Sequence, residues 1–244
     1  VDSANGNRKV WTWSAWVKRD VLGSVDHNMF SMGEASADEG QFKFSSDQLS
    51  FFNDYASSGR VSASQPSRKF RDVNAWSHFV WEMDTTLATA ADRIKMYLNG
   101  ERVTAFEDDL GTITQSKSMD MMENTNGRIT IGRGAIGGSD YYFGGSLSHF
   151  YFTDGYAYPA STFGSTDTTT GEWKINTSPS ITMGTNGFTI LKDGNTITDQ
   201  SSNSNNFTSN GSGVTKTEDN PSNNFCTWNP LAPPTTAPTF SNGN

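Results

Sequence analysis

Cysteine is nearly absent from this 244-residue chain: Cys226 stands alone. A single thiol excludes an internal disulfide and any multi-cysteine metal site, so stability has to come from sheet packing or from assembly. Clusters of Lys and Arg are missing too. The chain has 18 basic against 26 acidic residues, a formal charge of −8 and an isoelectric point near 4.8. That leaves no electropositive footprint for nucleic acid. No apolar run approaches the ~20 residues of a membrane-spanning helix, so membrane insertion is not expected. Before Tyr158 nothing has the 3.6-residue period of a helix. Histidine is scarce: His27, His78 and His149 fall on separate predicted strands, and spacing gathers no Ser/His/Asp group. The chain opens at Val1 without a methionine or a signal-like segment and ends in a Pro/Thr/Asn-rich stretch. It therefore reads as a piece of something longer, with no targeting signal from which to place it.

Aromatic side chains are plentiful, at 12% of residues with 7 Trp and 16 Phe, although total hydrophobic content is only 34%. The polar excess collects after Ser178, which puts the core upstream. The chain is organised around Trp76 to Val103. Ile94, Met96 and Leu98 alternate with Arg93, Lys95 and Tyr97, the period of a half-buried strand. Asn99-Gly100 follows, the strongest short hairpin signal, because both residues accept positive φ. Trp76 to Asp84 also alternates, but with apolar residues on both faces. These two strands are expected to form the centre of an antiparallel sheet.

Around them lie further short strands. Val10 to Lys18 carries Trp11, Trp13, Ala15 and Val17 on one face and Trp16 on the other. Asn28 to Gly33 is a second strand, and Gln41 to Ser45 with Gln48 to Asn53 reads as a hairpin. Arg60 to Ala63 is a weak strand broken by Pro66. Arg128 to Gly132 places Ile129 and Ile131 inward. Ser146 to Thr153 sets Leu147, His149 and Tyr151 opposite Phe150 and Phe152. Pro159 to Gly164 is expected to make one helical turn. Many short strands separated by Gly/Asn turns predict an all-β fold, a two-sheet antiparallel sandwich or jelly roll, over residues 1–164.

Residues 165–244 form an extended, irregular Ser/Asn/Thr-rich segment. Trp173 anchors its beginning, and a small hairpin is expected through Asp193-Gly194. From Asp199 to Asn224 the sequence is too poor in apolar side chains to offset ordering entropy on its own. It is expected to dock, on its own sandwich or on a neighbouring subunit, and partner docking is expected for residues 199–244. Phe225, Trp228 and Leu231 are the candidate docking strip.

Trp13-Ser14-Ala15-Trp16-Val17-Lys18, Trp76-Ser77-His78-Phe79-Val80, Ile94 to Gly100 and Phe143-Gly144-Gly145-Ser146-Leu147 together resemble the laminin-G-like, concanavalin A-like jelly roll over roughly residues 8–164. More narrowly, NRKVWTWSAWVKR, GFTIL, DQSSNSNNFT and FCTWNPL resemble a signature of laminin-G-like virion proteins of marine tailed bacteriophages. The resemblance implies a tail, fibre or head-decoration component on an extracellular virion, surrounded by other virion proteins, built as a homo-oligomer and able to bind host-surface glycans.

The chemistry-bearing residues give little sign of a reaction. Glu82-Met83-Asp84 alternates two carboxylates along one strand, as some jelly-roll glycosidases do, but Thr86 stands where their third acid would be; a nucleophile and acid/base pair is incomplete. The expected state of these acids is a solvated strand end. Cys226 beside Trp228 fits a buried apolar role. The resemblance also brings calcium as a possible cofactor at the sheet rim, with Asp72 and Asp140 as ligands, although Asp equally forms turns. Tyr141, Tyr142, Tyr156 and Tyr158, placed in predicted loops, are the candidate carbohydrate-binding residues, since pyranose rings stack on aromatic planes; the alternative for each is sheet-edge packing. The expectation is thus a non-enzymatic virion structural protein displaying a lectin-like domain. The alternatives are a carbohydrate-active hydrolase or lyase on the same fold and a bacterial secreted adhesin.

Overall fold

Strand β1 (Val10–Arg19) sends Trp11, Trp13, Ala15 and Val17 into the main core and turns Trp16 to the opposite face, where it stacks on His78. This is the period-two alternation of its sequence made physical. The structure is a computed structural model that describes residues 6–34, 38–55, 59–108, 113–119, 128–134, 141–192, 197–210 and 214–222.

Around β1 are built β6 (Ser77–Asp84), β7 (Ile94–Leu98), β8 (Glu101–Arg102), β13 (Gly145–Asp154) and β16 (Phe188–Ile190), in the order β16-β13-β1-β6-β7-β8. The facing sheet has β2 (His27–Glu34), β3 (Asp38–Ser45), β4 (Gln48–Tyr55), β5 (Gly59–Pro66), β9 (Phe106–Asp108) and β10 (Arg128–Ile131), in the order β10-β2-β3-β4-β5-β9. Two small hairpins complete the described strands: β11 (Arg133–Gly134) with β12 (Tyr141–Tyr142), and β14 (Gly164–Thr166) with β15 (Trp173–Ile175). The result is the expected all-β, antiparallel jelly-roll sandwich. The centre of the first sheet is β1 with β6, and the β6–β7 pair lies to one side of it. No described helix is long and apolar enough to cross a membrane.

Between the sheets Trp13 stacks on Phe42 at 4.7 Å and 5°, Phe42 stacks on Phe51 at 4.7 Å, and Trp81 meets Phe42 edge-on at 4.9 Å. Each such ring removes roughly 150–250 Å² from water, and each pair adds about 0.5–1.5 kcal/mol beyond the area term. This aromatic zip replaces the covalent staples that the sequence lacks.

Asn99 and Gly100 take φ of 48° and 83°, the type I′ geometry expected of Asn-Gly, and join β7 to β8. Ser46 and Asp47 do the same between β3 and β4, with φ of 50° and 66°. No glycine announces that turn. Tertiary contacts hold it: the Asp47 carboxylate accepts from the guanidinium of Arg19 at 3.1 Å, the Gly23 amide at 2.9 Å and Arg71 at 3.2 Å.

Strand β13 departs from its expected pattern. His149 has φ of 46° and sits where the β1–β13 register shifts, between Ser14 and Trp16. The extra residue is a β-bulge, which resets the alternation. Leu147 therefore packs on the same main core as Phe150 and Phe152, and not with Tyr151 on the other face. The turn expected at Pro159 to Gly164 is a single 3-10 turn, Ala160–Thr162, with Pro159 just outside its start.

The stretch after residue 164 supplies a strand of the first sheet. In β16, Phe188 and Ile190 pair with Phe152 and Phe150, and Phe188 stacks on Phe150 at 5.9 Å. The main core therefore reaches past the boundary expected at 164. Hairpin β14–β15 covers the outer face of the same sheet, burying Val80, Tyr151, Ala160 and Phe163 in a second cluster against Trp173, Ile181 and Met183. That cover explains why Trp76 to Asp84 is apolar on both faces. Further along, Phe207 meets Phe188 at 4.8 Å, and Asp219 pairs with Lys18 at 2.6 Å and accepts from the Trp76 indole at 3.2 Å. In these parts of the extension the docking is on the chain's own sandwich. Asp193-Gly194 and the Phe225, Trp228 and Leu231 strip, with Cys226, lie outside the described residues.

Candidate functional site

Three groups of polar side chains meet on the outer face of the first sheet. The first surrounds His78, which is 1% exposed. Its ring stacks on the indole of Trp16, at 4.9 Å and 20°, and lies nearly parallel to that of Trp173, at 6.1 Å and 15°. The Trp173 Nε1–H donates to Nδ1 at 3.1 Å. An indole nitrogen only donates, so Nδ1 is an acceptor and the ring proton sits on Nε2, facing the Ser14 hydroxyl at 2.9 Å. Ser14 is thus on the donor side of the imidazole, and the pair is not a nucleophile with its base. Burial, and then the neighbouring His149, push the His78 pKa down to about 3, so the ring is neutral at ordinary pH. His149 is hydrogen-bonded, with Nδ1 2.8 Å from the Ser148 hydroxyl.

The second group is Glu82, opposite Lys95 on β7. One carboxylate oxygen receives Lys95 Nζ at 2.8 Å and the other the Tyr97 hydroxyl at 3.0 Å. Burial, followed by the Glu82 charge, pushes the Tyr97 phenol up to about 12. Glu82 is not a solvated strand end: it is 9% exposed and both its oxygens are engaged. Asp84 turns back on the Thr86 amide and hydroxyl.

The third group is an open cleft of about 710 Å³, lined by the stretch from Ser178 to Thr185, by residues 200–203 and by Lys192, over buried Tyr151 and Thr189. On its Ser178–Thr185 side, the Tyr158 hydroxyl accepts the Thr182 amide at 2.8 Å. Tyr156 stacks on Tyr158 at 6.2 Å and 18° and is 41% exposed. Two buried threonines fix this tyrosine turn: Thr153 donates to the Tyr156 carbonyl at 2.7 Å, and Thr12 both donates to it and accepts the Tyr158 amide.

The other lining stretch is held by a knot of short polar side chains. Asp199, 7% exposed, accepts four donors: the Thr189 and Ser201 amides on one oxygen, the Ser201 hydroxyl and Asn205 amide on the other. The Asn203 and Asn205 amides donate to the Gly187 carbonyl, each at 2.9 Å. These side chains mimic backbone turns and so impose shape on a segment without apolar content.

The four candidate tyrosines do not form one site. Tyr141 and Tyr142 precede β13 and Tyr156 and Tyr158 follow it, so a ten-residue strand of roughly 33 Å separates the pairs,. Tyr141 and Tyr142 are exposed on hairpin β11–β12, with Arg133 over the Tyr142 ring at 5.8 Å. Asp72 is exposed and caps its own turn, accepting the Asn74 amide at 2.8 Å. Calcium takes six to eight oxygens, and Asp72 alone does not fit that demand. Among the described residues no three His, Cys, Asp or Glu side chains converge; Asp140 lies outside them. Lys192, Gln200 and the 199–206 knot were not among the expected site residues. The local signal available there is the DQSSNSNN run, dense in turn-forming side chains,.

A family model described as the concanavalin A-like lectin/glucanases superfamily matches residues 1–161. No curated protein matches the chain's sequence. Solved structures similar to it include the native heptameric SAP-like pentraxin of Limulus polyphemus, at 16% identity over 63% of this chain and 67% of that one, TM-score 0.41. Another is the CBM40 of the Ruminococcus gnavus IT-sialidase, at 13% identity over 61% and 77%, TM-score 0.45. A third is tailspike protein 2 of Escherichia coli O157:H7 bacteriophage CAB120, at 10% identity over 66% of this chain and 22% of that one, TM-score 0.42. Likenesses of this degree carry no functional argument.

Proposed function

Because this chain belongs to the concanavalin A-like lectin/glucanases superfamily, we propose that it is a glycan-binding module without a reaction of its own, displayed on a phage particle. The observation that carries the binding is the cleft beside the Tyr156–Tyr158 stack. The Tyr156 plane, tied to the lining through the Tyr158 hydroxyl and the Thr182 amide, suits the apolar face of a pyranose, and the hydroxyl and amide groups of the lining suit its edge,. The virion setting rests on the resemblance of the stretches NRKVWTWSAWVKR, GFTIL, DQSSNSNNFT and FCTWNPL. Display in symmetric copies among other virion proteins sums weak single contacts into avidity. A glycan array, run with and without a calcium chelator, tests the binding. The expected result is a defined set of glycans bound by the chain and lost in Tyr156→Ala at unchanged thermal stability; an empty array overturns it. Mass spectrometry of purified particles tests the setting.

A further inference from the structure

We propose that the saccharide taken by this cleft is an acidic one, its carboxylate or sulfate held by Lys192. The inference deepens the glycan-binding reading and rests on it. Among the described residues that line the cleft, Lys192 is the one charged side chain. Four other lysines, Lys18, Lys43, Lys95 and Lys174, each hold a carboxylate at 2.6 to 2.8 Å. Among the described residues no such pair is made by Lys192; Asp193, next in sequence, lies outside them.

Two carboxylates lie behind the lining and are taken. Asp199 is filled by its four donors. Asp154, which packs under Gly184, accepts the Asn7 amide on one oxygen and the amide and side chain of Asn186 on the other. Both are buried, and neither competes for the ammonium. In a chain with eight more acids than bases, a cation in the cleft without an ion pair among the described residues is a counter-charge for something that arrives from outside. Half-buried, it is screened less than a surface lysine. Gln200 and Ser202, both exposed at the cleft, supply neutral hydrogen bonds for the rest of a sugar.

Titration calorimetry with three matched tetramers tests this: galacturonate, sulfated galactose and neutral galactose. The wild-type chain is expected to bind one acidic tetramer at least about tenfold tighter than the neutral one, the scale of a charge-assisted hydrogen bond. That margin should shrink with added salt, vanish in Lys192→Gln and persist in Lys192→Arg. The preferred acidic tetramer distinguishes a carboxylate from a sulfate ligand. Equal binding of neutral and acidic tetramers, with both lost in Tyr156→Ala, overturns the inference and leaves the glycan-binding reading standing. An acidic preference unchanged in Lys192→Gln overturns it as well. So does a failure of all three tetramers to bind, while the array decides the broader reading separately.

Discussion

The indole of Trp173 donates to Nδ1 of His78 across 95 positions of sequence, and this bond joins the late hairpin to the middle of the first sheet. Trp173→Phe keeps the stacking plane and removes the donor, which leaves a buried ring nitrogen without its partner. The expected loss is about 1–3 kcal/mol, read from urea unfolding as a lower midpoint at unchanged slope.

His78 also sets a pH dependence. Its folded pKa is about 3 and the unfolded value about 6.5, so between them the unfolded chain binds the extra proton. Stability is then full above about pH 6.5 and falls as pH drops toward 3, by up to about 1.4 kcal/mol per pH unit for this group. Carboxylates with lowered values, such as Asp47, act in the same direction but only below their ordinary range. Imidazole NMR should show His78 neutral, with its proton on Nε2, down to pH 4. A ring that titrates near 6.5 in the folded chain would disprove the buried stack.

Gly100 lies under the Trp173 ring. A Cβ there would run into the indole, and φ of +83° is strained for any side chain. Gly100→Ala should destabilise by about 2 kcal/mol or more. The steric part should disappear when Trp173 is also truncated, giving a strongly non-additive double-mutant cycle.

Asp199→Ala removes the acceptor for four donors at once. A loss of at least about 3 kcal/mol is expected. Limited proteolysis should then cut first between residues 178 and 207, where the cleft lining depends on that knot. Cutting that begins elsewhere would show that the knot does not hold the lining.

Much of the sandwich was written locally. The alternation of Val10 to Lys18 and Ile94 to Leu98 reflects the geometry of a single strand. The Asn99-Gly100 turn reflects two residues that tolerate positive φ. The Tyr156–Tyr158 half of the candidate site was legible as aromatics in a loop, but the other half was not. Gln200 and Asn203 fall in a segment whose composition says only that it cannot fold alone, and Lys192 falls beside an expected hairpin turn that gives no sign of a cleft.

What the sequence determined by itself was therefore the all-β character, most strand faces and the absence of covalent staples, because period and turn chemistry act over a few residues. What the tertiary structure decided was the bulge at His149, the Ser46-Asp47 turn closed by Arg19, the Glu82–Lys95–Tyr97 group, the return of hairpin β14–β15 over the outer face of the first sheet and the addition of β16 to that sheet's edge. Each of these depends on a partner distant in the chain, and a polar side chain carries no mark of which distant donor will reach it.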